Sequence, residues 1–160
     1  GNFNNLSGDY NRVNGNFNDV YGSYNGIRGN VNSAIGNFNQ IRGNHNGVIG
    51  DQNAVAGNYN GIYGSANTAI GSYNAAVGNR NTIYGNANGV FGSNNGVVGN
   101  ANGISGSNNK VFGSGNEVWW LIPILRIFYS FFTTFIKGIF LIKLINKLAF
   151  HTKIWKQVKI

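Results

Sequence analysis

The chain has 160 residues, of which 25 are Gly and one is Pro, with no Cys or Met and a net charge of +8. Charged residues make up 10% of it, against roughly 25% in an ordinary globular protein. The absence of cysteine excludes a disulfide framework and any thiolate metal site, and the length allows one domain with at most an appendage.

The charge is divided unevenly. Up to Trp119, five basic residues (Arg12, Arg28, Arg42, Arg80, Lys110) are set against four acids (Asp9, Asp19, Asp51, Glu117). Beyond it stand seven basic residues and no acid. The chain therefore reads as two bodies: a repeat region over 1–118 and a hydrophobic basic tail over 119–160. A chain without an initiator Met reads as processed or as a fragment, so a leader could have preceded it.

From Gly1 the text runs in seventeen unbroken heptads of the form G-[NSD]-x-N-x-[VIAL]-x, with Gly always first and Asn always fourth. A coiled coil would need two apolar positions per heptad and strong helix formers, whereas Gly and Asn disfavour helix. Collagen requires Gly at every third residue. A β-solenoid fits both the period and the composition. In this reading Gly and its polar follower turn each corner, and the other five residues form a short strand with period-two alternation. Positions 4 and 6 point inward, and positions 3, 5 and 7 point outward. The inner asparagines, among them Asn46, Asn53, Asn60, Asn67, Asn74 and Asn81, would stack as a hydrogen-bonded ladder, which removes the cost of burying a polar group.

One heptad is too short to enclose a core, so two per coil are expected, or 14 residues. The repeat region then has eight and a half coils and a length of roughly 40 Å at about 4.8 Å per coil. Odd and even heptads would face opposite ways. All five basic residues of the repeat fall in even heptads, predicting a polar, basic face there. The odd heptads carry Phe3, Phe17, Val31 and His45 at position 3 and Ile35, Ile49, Tyr63, Val77 and Phe91 at position 7. Position 5 between those columns is small, as at Gly47, Gly61, Ala75 and Gly89. The odd face is thus expected to be flat, apolar and nearly uncharged, and so a surface for recognition or for packing in a homo-oligomer.

The repeat ends where "VWWLIPILRIFYSFFTTFIKGIF" begins. Val118 to Ile136 is long enough to span a bilayer, with Arg126 as its one charge and Trp119 and Trp120 placed as an interfacial belt. An interfacial cationic helix is the competing reading. A third is that the tail is non-native read-through, because it shares no grammar with the repeat.

Catalytic chemistry is missing. His45 and His151 lie in different bodies, no His/Cys/Asp/Glu cluster has metal-ligand spacing, and scattered acids offer no carboxylate pair for acid/base work. The chain reads as a non-enzyme with no cofactor and no metal. Arg12, Arg28 and Arg42 lie near Tyr10, Tyr24 and Phe38, a combination that could hold single-stranded nucleic acid or an anionic glycan. A solubilising stripe is the simpler reading, and nucleic acid is not expected as a partner.

Written from its asparagine, the repeat is N-x-V-x-G, as in "NNGVVGNANGISGSNNKVFG". Over residues 1–119 this resembles the ice-recrystallisation-inhibition repeat of cold-hardy grass ice-binding proteins. The resemblance implies a left-handed parallel β-roll of about 14 residues per coil, an extracellular or cell-surface location and an ice surface as the target. In that family the outer positions flanking the inner Val are rich in Thr, Ser and Val. On the even face Thr68 and Thr82 match that pattern, with Ala54 and Gly96 continuing their column. "NTAIGSYNAAVG" is also similar to the head repeats of trimeric autotransporter adhesins, which implies an adhesive or structural roll as the alternative. The odd-face residues are the expected contact surface with ice or a flat polymer, and Ala54, Thr68 and Thr82 are the alternative patch. Membrane contact, if any, falls to the tail.

Overall fold

The computed structural model describes residues 1–119; the expectations for the tail lie outside the described residues. Seventeen three-residue strands follow one another at the heptad period: β1 (Asn5–Ser7), β2 (Arg12–Asn14), β3 (Asp19–Tyr21), β4 (Gly26–Arg28), β5 (Ser33–Ile35), β6 (Gln40–Arg42), β7 (Gly47–Ile49), β8 (Ala54–Ala56), β9 (Gly61–Tyr63), β10 (Thr68–Ile70), β11 (Ala75–Val77), β12 (Thr82–Tyr84), β13 (Gly89–Phe91), β14 (Gly96–Val98), β15 (Gly103–Ser105), β16 (Lys110–Phe112) and β17 (Glu117–Trp119). Odd strands form one nine-stranded sheet and even strands one eight-stranded sheet, each in unbroken sequential order. Pairing is parallel, and each residue sits beside the one 14 positions on, as Val48 beside Ile62 and Val55 beside Ala69. This is a β-solenoid with two heptads per coil.

The core is the position-6 column. Val20, Ile27, Ala34, Ile41 and their successors to Val111 are buried and form one continuous cluster between the sheets. Two strands of three residues can cover only one apolar side chain each, so the rest of the interior is polar. The polar residue is Asn, and from Asn18 to Asn102 every position-4 asparagine is at most 2% exposed.

Asn60 shows why the position admits no substitute. Its Oδ1 accepts two bonds from the following coil, from the backbone N–H of Asn74 at 3.0 Å and from Asn74 Nδ2 at 3.1 Å. Its Nδ2 donates to Asn46 Oδ1 at 3.0 Å and to the Gly71 carbonyl at 2.8 Å. A primary amide offers two donors and two lone pairs, and all four are used. Asp lacks the donors, Ser lacks the count, and Gln carries an extra methylene. No buried side-chain polar atom among the described residues lacks a partner.

The corners differ from the expectation in one respect. The strand is three residues long, not five, because position 3 belongs to the turn and the position-4 asparagine stands just before the strand. From Phe3 to Asn108 every position-3 residue adopts a left-handed backbone, with φ between 54 and 63°. Such a conformation costs a non-glycine residue roughly 1–2 kcal/mol. It is held by stacking, since the N–H of Tyr59 donates to the Asn44 carbonyl at 3.0 Å, one coil back. Phe3, Phe17, Val31 and His45 therefore line a corner rather than the odd sheet's face.

A second side-chain ladder runs along these corners at position 2. The backbone N–H of Asn44 donates to Asn58 Oδ1 at 2.8 Å, that of Asn58 to Ser72 Oγ at 3.1 Å, and that of Ser72 to Asn86 Oδ1 at 2.8 Å. This ladder looks forward to the next coil, whereas the inner asparagine N–H looks back. Asn, Ser and Asp are interchangeable here because each places an acceptor oxygen on a short side chain, as Asp51 does for the N–H of Asn37 at 2.7 Å.

Candidate functional site

Alternation within each strand turns position 6 inward and positions 5 and 7 outward, so each sheet presents two outward columns at the coil spacing of about 4.8 Å. On the nine-stranded sheet Ile35, Ile49, Tyr63, Val77 and Phe91 stand on consecutive strands β5, β7, β9, β11 and β13. They are between 39 and 64% exposed. Gly47, Gly61, Ala75 and Gly89 form the neighbouring column in the same register. A side chain added at Gly47, Gly61 or Gly89 would meet nothing within 4 Å. These glycines are not demanded by the backbone; they keep one column low beside a tall one. The surface is thus a ridge with a trough at its foot, and from β5 to β15 neither column holds a charge. Toward β17 the trough opens into a concavity of about 450 Å³ between Phe91 and Trp119, floored by Gly89 and Gly103.

The eight-stranded sheet departs from the expected basic face. Its charges gather at one end, with Arg12, Arg28 and Arg42 on β2, β4 and β6, and Lys110 on β16 at the other. Arg80 is removed from the face altogether, since position 3 lies at the corner, where Arg80 has φ 56°. Between the two ends the position-7 column is Ala56, Ile70, Tyr84 and Val98, and Ile70, Tyr84 and Val98 are between 43 and 45% exposed. This second apolar column escaped the sequence reading, although position 7 of the even heptads spells it. Thr68 and Thr82 are direct partners on β10 and β12, with Ala54 and Gly96 on either side. Both threonines are half-buried.

The expected ladder residues divide between the sheets. Asn46, Asn60 and Asn74 belong to the odd stack, and Asn53, Asn67 and Asn81 to the even one. They hold the coil spacing and are not themselves available at the surface. Ring stacks line the corners: Tyr10 on Tyr24 on Phe38 at 4.8 and 4.9 Å, and His45 on Tyr59 on Tyr73 at 4.7 and 5.1 Å. Among the described residues no cluster of His, Cys, Asp or Glu could hold a metal ion, and no helix is long and apolar enough to cross a membrane.

Two parallel sheets joined coil by coil through buried amide ladders define the class of parallel β-rolls. The family model described as the grass antifreeze beta roll matches residues 29–119. The chain belongs to that family of ice-binding β-rolls. Comparison with curated proteins gives no match.

Proposed function

We propose that the chain binds ice through the outward columns of its nine-stranded sheet, centred on Ile49, Tyr63, Val77 and Phe91, with Gly47, Gly61, Ala75 and Gly89 beside them. The observation that carries this reading is the uncharged run from β5 to β15. A surface that repeats can match the periodic lattice of ice, and ladders that fix every coil at one spacing supply the repetition. Exposed apolar side chains over a low trough order the water they cannot bond, and charges would break that order by binding water independently. With that role we propose a location outside the cell, secreted or at the surface.

The full chain should inhibit ice recrystallisation and shape ice crystals. I49K/V77K introduces two outward charges without touching the core and should abolish both effects. T68K/T82K, on the other sheet, should leave them within about twofold, as surface substitutions leave the fold intact. The paired, half-buried Thr68 and Thr82 favour a second reading, in which the eight-stranded sheet is the ice face; a reversed result for these two variants would establish it. If the folded chain leaves ice untouched, the apolar ridge is instead a surface for self-association or adhesion.

A further inference from the structure

The basic end of the eight-stranded sheet is built differently from everything else on the surface. Arg28 and Arg42 are direct partners on β4 and β6, in the same outward column. Like charges placed directly opposite on neighbouring strands destabilise a sheet. Neither outward column of this sheet contains an acidic residue to relieve them. Arg12 stands in the adjacent column, where its partner is Gly26, whose own next partner is Gln40. Gly26 leaves room for the Gln40 amide, which would meet any side chain added there. Together they border a trough of about 390 Å³ that continues past Ala54 to Thr68 and Ile70. The free protein thus holds stacked cations over an open trough, with the Asn14 amide next to Arg28 and the Gln40 amide next to Gly26 in their columns.

The geometry points to a binding site for a linear acidic polysaccharide, lying along the coil axis with its carboxylates on Arg12, Arg28 and Arg42. The guanidinium fork pairs a carboxylate through two parallel hydrogen bonds, and a uronate chain presents one carboxylate on each sugar. The Asn14 and Gln40 amides, in the columns of the arginines, suit the sugar hydroxyls. Single-stranded nucleic acid fits less well, because it needs free aromatic faces on which bases can stack. The nearby rings of Tyr10, Tyr24 and Phe38 lie against one another, with interplanar angles of 14 and 4°, so they offer mainly their edges. The chain's own tail cannot be the occupant by charge, since it carries seven cations and no acid.

The test uses the full chain and immobilised polygalacturonate at low ionic strength, with neutral dextran as the control. Binding to polygalacturonate alone is expected. R12Q/R28Q/R42Q should weaken it about tenfold, the loss of several charge-assisted pairs, whereas K153Q/K156Q/K159Q in the tail removes the same number of charges and should change it less than about twofold, the size of a screened long-range attraction. R28K/R42K keeps the charge and removes the fork, and should fall between the two. A β-rich circular dichroism spectrum and unchanged ice recrystallisation inhibition in R12Q/R28Q/R42Q separate this site from the ice face and from misfolding. No binding, an equal loss from the tail variant, or equally tight and arginine-dependent binding of a single-stranded oligonucleotide would overturn the proposal.

Discussion

Glycine stands at position 1 of every heptad and recurs at position 5 of the odd sheet at Gly47, Gly61, Gly89 and Gly103, for opposite reasons. At position 1, Gly71 has φ 129°, and a methyl group there would lie 2.6 Å from the carbonyl carbon of Gly85 in the next coil. At position 5, Gly61 has no positive φ, and an added methyl group would touch nothing within 4 Å. The first column sets how closely coils approach and frees the carbonyl that the inner asparagine needs, as Gly71 leaves the Gly85 carbonyl to Asn74. The second sets the relief of an outer face. One residue type at one period can thus be architecture in one column and surface in the next, and only the surroundings distinguish them.

The contrast predicts a gradient of effects. Gly71→Ala forces two coils apart against a rigid backbone and should cost roughly 4 kcal/mol or more, read as a collapse of the urea midpoint or as loss of soluble protein. Asn60→Ala should follow at about 3 kcal/mol, because it orphans the Asn74 N–H and the Gly71 carbonyl in a buried place; hydrogen exchange should show the opening centred on the coils of Asn46 and Asn74. Ser72→Ala removes one acceptor from the corner ladder, and its cost of about 1 kcal/mol should appear as a small shift of the same midpoint. Gly61→Ala should change stability by less than about 0.5 kcal/mol, yet reduce ice recrystallisation inhibition by filling the trough beside Tyr63. A Gly61→Ala variant as unstable as Gly71→Ala would erase the distinction between the columns. Unaltered ice activity in a stable Gly61→Ala would leave the distinction and remove the trough from the ice face.

Much of this was readable beforehand because the repeat has no exceptions. Seventeen identical placements of Gly, Asn and a small or branched apolar residue exclude helix and collagen, and the 14-residue coil follows from the need to enclose something. Two features resisted. Position 3 holds Phe, Tyr, Val, His, Gln, Ala, Arg, Asn and once Gly, a mixture that signals no turn, because there the left-handed backbone is imposed by stacking hydrogen bonds and not by the residue's own preference. The reading of the even sheet as basic holds for Arg12, Arg28, Arg42 and Lys110 and misses at Arg80 for the same reason. Counting Arg80 with the face required position 3 to lie on it, and attention to charge hid Ile70, Tyr84 and Val98 between the ends.

The amino-acid sequence by itself determined the coil, the inward pair of Asn and apolar residue, and the membership of the grass antifreeze beta-roll family, since each depends on a local pattern repeated at fixed period. Tertiary structure decided which residues share a surface. Neighbours on this roll are 14 positions apart, so the adjacency of Arg28 with Arg42, the low column beside the Ile49 ridge and the removal of Arg80 to a corner arise only when the coils stack.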